Sequence, residues 1–141
     1  FRQTARLDWF WGNALNPLDR RTLCRRHEGW NEFSGRKSFC SGALDSEMLI
    51  ASGLDEGSGK LLIAAVPTGR SGITINNDWH NMGQRQTDSG TVQFENVFVD
   101  RGELLLSGGQ RLERHAHVVV ARRLVAGQRP GVTTNVGQMR R

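Results

Sequence analysis

Met48-Leu-Ile-Ala-Ser52, the loop Gly53-Leu-Asp-Glu-Gly-Ser-Gly59 and Leu61-Leu-Ile-Ala-Ala-Val66 together decide the fold class. Two apolar runs of strand length flank a polar, Gly-rich connection, the pattern of a β-hairpin. Similar signals lie on both sides. Upstream, Trp9-Phe-Trp-Gly-Asn-Ala-Leu15 reads as a short buried strand, and Asn16-Pro17 ends it, because Pro disfavours helix before it and cannot donate to a ladder. Residues 18–28 are highly charged and read as an exposed loop or turn. Gly29 to Phe33 and Arg36 to Ser41 read as two extended segments broken at Ser34-Gly35, a candidate hairpin turn. Downstream, Pro67 to Gly72 is another turn, and Val92-Gln-Phe-Glu-Asn-Val-Phe-Val99 alternates imperfectly, its charged and amide residues able to face water. Several short strands at close spacing predict a mainly β protein, an antiparallel barrel or sandwich.

The chain has 141 residues and 15.7 kDa, enough for one domain. Its apolar runs fall far short of the roughly 20 residues of a membrane span, so no membrane partner is expected. Nothing at the start resembles a signal peptide, and the chain opens on Phe1, which predicts a piece of something longer. Two cysteines, Cys24 and Cys40, make neither a disulfide framework nor a metal-ligand spacing; a reducing, cytoplasmic setting fits, with no metal. The formal net charge of +5 is unevenly placed. Residues 1–106 carry 12 Lys+Arg and 13 Asp+Glu, whereas residues 107–141 carry 7 Arg and one acid, Glu113. That tail lacks aromatic residues on which bases stack, so no specific nucleic-acid binding is expected. Its apolar run Val118-Val-Val-Ala121 sits in no sustained helical stripe. The division expected is a β unit over 1–106 and an irregular, Arg-rich tail over 107–141, disordered or frame-shifted.

Several catalytic patterns fail on spacing. Gly53 to Lys60 lacks the first Gly of a phosphate loop, Leu54 standing there, and Leu61 replaces the Ser or Thr that follows its Lys. His27-Glu28 has Asn31 at the second zinc-binding position. Asp78, His80 and Ser89 lack a nucleophile elbow, which leaves His80 a loop or surface residue. Cys40 reads as a small buried hydrophobe.

Three segments in order carry a resemblance: Phe10-Trp-Gly-Asn-Ala-Leu-Asn-Pro-Leu-Asp19, Phe33-Ser-Gly-Arg-Lys-Ser-Phe-Cys-Ser-Gly-Ala43, and Asp78-Trp-His-Asn-Met-Gly-Gln-Arg-Gln-Thr-Asp-Ser-Gly-Thr-Val92 followed by Phe94-Glu-Asn-Val-Phe-Val99. Over about residues 5–106 the chain resembles the middle β-barrel domain of the acyl-CoA dehydrogenase superfamily. It is most similar to the flavin-dependent monooxygenase branch, which includes dibenzothiophene desulfurisation monooxygenase. The resemblance implies a flavin cofactor, FMN or FAD, and a small, organosulfur-type substrate. It also implies helical domains on either side of the barrel, absent from this chain, and a homo-oligomeric intact enzyme. It places Lys37 to Ser41 on a strand against the flavin ring. Phe39 shields one ring face, the backbone of Cys40 lies alongside, and the Ser41 hydroxyl sits near N5; the residues alone, without the resemblance, read as a core strand with Phe inside. Asn13, Ala14, Leu15 and Asn16 begin the loop that reaches the polar edge of the flavin, although Asn13 can instead cap its own turn. Arg85 approaches the cofactor and substrate region, or else structures its loop by pairing with Asp78 or Asp88, while Thr87 and Ser89 hydrogen-bond the loop backbone.

Acyl-CoA dehydrogenases continue the first motif as Glu-Pro-x-x-Gly-Ser-Asp. Here it reads Asn16-Pro-Leu-Asp-Arg-Arg21, without the Ser that helps hold an acyl-CoA. The resemblance therefore implies a reduced-flavin monooxygenase. Its alternatives are an FAD-dependent acyl-CoA dehydrogenase and a non-catalytic β-barrel binding module. The chain alone is expected to bind flavin weakly or not at all and to be inactive.

Overall fold

The computed structural model describes residues 2–107 and 110–111, with side chains over 4–105. A one-turn helix, α1 (Arg2–Arg6), precedes nine strands: β1 (Trp11–Ala14), β2 (Leu23–Arg26), β3 (Trp30–Lys37), β4 (Met48–Asp55), β5 (Leu61–Pro67), β6 (Ile73–Asn76), β7 (Thr91–Asp100), β8 (Leu104–Ser107) and β9 (Gln110–Arg111). They form one sheet in the order β6-β7-β3-β2-β4-β5-β8-β9, with β1 added beside β4. The fold is mainly β, as expected, a sheet curled into a half-barrel. Most pairs are antiparallel; β1 and β2 each run parallel to β4.

The hairpin that decides the class is β4–β5, paired from Met48↔Pro67 to Leu54↔Leu61. β4 runs on to Asp55, three residues further than its apolar run, so the connection is shorter than the Gly-rich stretch suggests. Both strands are buried along most of their length, which is why they read as continuous apolar runs. Ala14, Cys24, Phe33, Leu49, Ala51, Leu62, Val66, Val92, Phe94, Val97 and Val99 form the core between the walls of the sheet. Phe33 and Phe94 meet edge to face at 6.5 Å.

Three local expectations are corrected. Residues 18–28 are not wholly loop: they contain β2, between β3 and β4. Thr22 and Cys24 are buried there, while Arg26 pairs with Asp55 at 2.9 Å and Arg25 with Glu56 at 3.0 Å, so the strand's charges are neutralised at its rim. Ser34-Gly35 is not a turn; β3 passes straight through it. The register against β7 moves from Phe33↔Val97 to Gly35↔Phe94, a β-bulge in which Asn96 adopts φ 48° and its N–H donates to Ser34 Oγ at 3.2 Å. That bulge is the reason β7 alternates imperfectly. Gly35, at φ 124°, lies so near the 18–22 loop that a Cβ there would stand 2.0 Å from the Arg21 carbonyl. Finally, β3 stops at Lys37, so Ser38 to Ser41 is loop rather than strand. The Arg-rich tail lies outside the described residues from 112 onward.

Candidate functional site

The chain leaves β3 at Lys37 and turns outward. Phe39 takes φ 59°, a left-handed conformation that a bulky side chain rarely adopts. Its ring is 60% exposed, so the alternative of a Phe inside a core strand is overturned. Among the described residues the ring has one aromatic neighbour, Trp79, edge-on at 5.8 Å and 73°. A strained backbone that holds an aromatic ring out to solvent is the mark of a contact surface.

Beside it lies an open hollow of ≈ 630 Å³ lined by Asn13, Asn16, Leu18, Asp19, Arg21, Ser38 and Phe39. Its walls are the turn after β1 and the turn after β3, and side-chain hydrogen bonds join them. Lys37 is 1% exposed, and its Nζ donates to the carbonyl of Asn16 at 3.0 Å and to that of Asp19. Burial depresses its pKa, with the Asp19 carboxylate opposing. Asp19 accepts from Ser38 N at 2.9 Å and Ser38 Oγ at 3.0 Å, and pairs with Arg21 at 2.6 Å. Asn16 Nδ2 donates to the Ser38 carbonyl at 3.4 Å. The Arg21 guanidinium, with the Ser38 donors, holds the Asp19 carboxyl well below the usual carboxylate range.

The expected site residues divide into groups. Asn13, Asn16 and Phe39 line the hollow. Lys37 sits beneath it as a clamp. Ala14 is buried in the core, Leu15 is half-buried, and the Leu15 carbonyl accepts from Ser52 Oγ. Asn13 Oδ1 accepts from Leu15 N at 2.7 Å, the self-capping turn, while its amide nitrogen donates to no group among the described residues. Cys40 is buried, its thiol pushed up to about 11 by burial; Cys24 is pushed up to about 12 by the same cause. Ser41 faces solvent, its carbonyl accepting from Asn13 N at 3.0 Å. Arg85 is exposed and donates to the Asn81 carbonyl at 3.4 Å, with no ion pair to Asp78 or Asp88 among the described residues. Asp78 instead accepts from Thr91 N and Thr91 Oγ1, at 2.8 and 2.7 Å. Asp19, Arg21, Ser38 and Trp79 join the site without having been singled out as members. Motif order hid Asp19, which reads locally as one more charge in an exposed run.

Related proteins share this segment. It is 67% identical over 110 residues to a probable FMNH2-dependent monooxygenase of Pseudomonas putida, matching 77% of this chain and 28% of that protein. The crystal structure of methanesulfinate monooxygenase from Pseudomonas fluorescens superposes with a TM-score of 0.71 at 69% identity, over 73% of this chain and 27% of the other. Over this stretch the chain is similar to one segment of these monooxygenases. An FMN-bound dibenzothiophene monooxygenase from Paenibacillus sp. A11-2 gives a TM-score of 0.71 at 37% identity, over 77% of this chain and 30% of the other. A glutaryl-CoA dehydrogenase from Mycobacterium smegmatis shares the fold alone, with a TM-score of 0.64 at 20% identity. No family model matches the chain. The segment spans little more than a quarter of the length of the curated relatives it matches.

This segment sets an exposed aromatic ring beside polar groups. An exposed ring, Phe39, can cover an apolar face. The Asn13 amide nitrogen, which has no acceptor among the described residues, suits a polar edge, and Ser41 is exposed as a residue with its hydroxyl 2.7 Å from that of Ser89. The hollow falls within the usual range of about 300–1,000 Å³ for ligand pockets. Among the described residues no helix is long and apolar enough to cross a membrane.

Proposed function

We propose that this chain supplies the flavin-facing wall of a reduced-flavin monooxygenase acting on a small organosulfur compound. The observation that carries the reading is Phe39, held outward at φ 59° and 60% exposed beside the hollow. Within this reading Phe39 covers one face of the ring, Asn13 and the turn to Asn16 meet its polar edge, and Ser41 lies beside N5. Ala14, Leu15 and Cys40 contribute backbone, Lys37 fixes the turn, and Arg85, on the loop that carries Trp79, belongs to the substrate side. Bound reduced flavin supplies two electrons to molecular oxygen, one atom entering the substrate and the other leaving as water. The residues bind and orient the ring and, with a cover, exclude water.

The reading assigns residues 1–106 to one β unit, whose sheet Ser107 and β9 extend to Arg111, and treats the Arg-rich remainder of 107–141 as a separate tail. Helical domains of the intact enzyme cover the hollow, and that enzyme is a homo-oligomer in a reducing cytoplasm. Methanesulfinate monooxygenase and dibenzothiophene monooxygenase, the names of the relatives, support the organosulfur class. The Asn16-Pro-Leu-Asp-Arg-Arg21 motif, which lacks the acyl-CoA-holding Ser, weighs against a dehydrogenase.

The test is an assigned chemical-shift titration of the chain with FMN, which detects weak binding. Shifts concentrated at Asn13, Phe39 and Ser41, lost in Phe39→Ala without a change in folding stability, are expected. Shifts elsewhere, or an unaffected Phe39→Ala, refute the assignment.

A further inference from the structure

A file of hydroxyl groups runs from Ser41 into the 84–89 loop. Ser41 Oγ lies 2.7 Å from Ser89 Oγ, Ser89 Oγ lies 2.9 Å from Thr87 Oγ1, and Thr87 Oγ1 lies 2.8 Å from the Gln84 carbonyl oxygen. Each hydroxyl has one proton to donate, and a carbonyl has none. The file can therefore be filled in two ways. Running inward, Ser41 donates to Ser89, Ser89 to Thr87 and Thr87 to the carbonyl, which makes three hydrogen bonds. Running outward, Thr87 donates to Ser89 and Ser89 to Ser41, which makes two and leaves the carbonyl contact unmade. The inward order has one bond more, and its end is fixed because a carbonyl only accepts. Ser89 is 6% exposed, so water competes poorly for its hydroxyl. The Gln84 carbonyl also accepts from Trp79 Nε1 at 2.9 Å and from Thr87 N at 3.1 Å, which holds the acceptor in place. Trp79 is the residue packed on Phe39, so one carbonyl anchors both the hydroxyl file and the neighbour of the exposed ring.

In the inward order the proton of Ser41 points at Ser89, and what remains toward solvent is a lone pair. We infer that Ser41 presents an acceptor rather than a donor to its ligand, and that Ser89 and Thr87, by setting that polarity, make the site select reduced over oxidised flavin. This rests on the reading that N5 lies beside Ser41. N5 of the oxidised ring is an acceptor and would meet lone pair against lone pair; the reduced ring carries N5–H and donates. One neutral hydrogen bond made in one state and not the other corresponds to roughly a five- to tenfold difference in affinity. Ser89 and Thr87 are positioning residues, acting through Ser41.

The experiment titrates the 141-residue chain with FMN, once oxidised in air and once reduced under anaerobic conditions, following assigned shifts near Phe39 and Ser41. Reduced FMN is expected to bind at least fivefold more tightly. Ser89→Ala releases the Ser41 proton, and the ratio falls toward one. Thr87→Val removes the nearer inward acceptor of Ser89 and leaves it the residue-87 carbonyl at 3.5 Å against Ser41 Oγ at 2.7 Å, which weakens the inward order and lowers the ratio; Thr87→Ser restores the preference. Equal binding of the two forms by the wild type, or a ratio unmoved in both Ser89→Ala and Thr87→Val, overturns the inference while leaving the flavin reading intact. No response to either form, both in this chain and in the same segment carried within the full-length enzyme, overturns the flavin reading, and the inference with it. Neutron diffraction from wild-type crystals exchanged into D2O addresses polarity without flavin and without variants. Deuterium on the Ser41–Ser89 line, bonded to Ser41, is expected; deuterium on the outer side of Ser41 overturns the inference.

Discussion

Asp19→Asn is the sharpest test of how the hollow is held. The Asp19 side chain is 6% exposed, and Oδ2 accepts from Ser38 N at 2.9 Å and Ser38 Oγ at 3.0 Å. Its other contacts are to Arg21, at 2.8 Å from Nε, 2.6 Å from Nη2 and 3.2 Å from the backbone N. An amide can keep one acceptor facing Ser38 or Arg21, but its NH2 then confronts donors on the other side. Hydrogen bonds to a charged group contribute about 1.5–3 kcal/mol, so the substitution is expected to cost about 2 kcal/mol at neutral pH. With a urea slope of roughly 2 kcal/mol per M, the midpoint read by tryptophan fluorescence falls by about 1 M. The pH dependence follows from the depressed carboxyl. Below the unfolded value of about 3.9 the unfolded chain binds this proton and the folded chain does not, so acid favours unfolding of the wild type. The gap between wild type and Asp19→Asn is therefore full above about pH 5 and closes by about pH 2.5, given at most about 1.4 kcal/mol per pH unit. A gap below about 0.5 kcal/mol at pH 7, or one that stays constant down to pH 2.5, refutes the reasoning.

Other changes have expected outcomes of different kinds. Gly35→Ala sets a methyl 2.0 Å from the Arg21 carbonyl at φ 124°, and a loss of about 3 kcal/mol or more in urea unfolding is expected; a near-neutral result would show that the bulge can relax. Arg70→Met strips a buried Glu103 of contacts at 2.5 and 2.6 Å and is expected to cost about 3 kcal/mol, with Arg70→Met/Glu103→Leu nearer to wild type; a double variant worse than the single one contradicts this account. Cys24 and Cys40, pushed up to about 12 and about 11 by burial, should resist Ellman's reagent at pH 8 in the folded chain and both react in urea. Rapid native labelling of either shows that the core around it opens.

Strands were legible wherever a run of like residues was buried as a unit. Met48 to Ser52 and Leu61 to Val66 announce β4 and β5 because neighbours on both faces are protein, so no alternation is needed. The three ordered motifs brought Asn13, Asn16 and Phe39 into the candidate site before any coordinates, and these do line one hollow. Other features depend on partners far away in sequence. Ser34-Gly35 has the chemistry of a turn and of a bulge alike, and only the two β7 residues set against Ser34 in the register choose between them. Cys24 becomes the buried face of a strand because β3 and β4, far apart in sequence, pair on its two sides, while Asp55 and Glu56 meet Arg26 and Arg25 at the rim.

The same holds, more strongly, for the chemistry. Residue types alone say that Phe39 is apolar and Ser41 polar, and a local reading buries the first in a strand. Whether a ring is hidden or held out depends on a backbone angle set where β3 ends, above a Lys37 that grips carbonyls 18 and 21 residues away. The polarity of the Ser41 hydroxyl depends on Ser89, 48 residues on, and through it on a carbonyl that cannot donate. Composition and periodicity record how often a side chain meets water or protein, which is enough for strands and core. Which lone pair a hydroxyl turns outward is a property of the assembled network, because a proton's direction is fixed only once every acceptor in the file has been brought within about 3 Å.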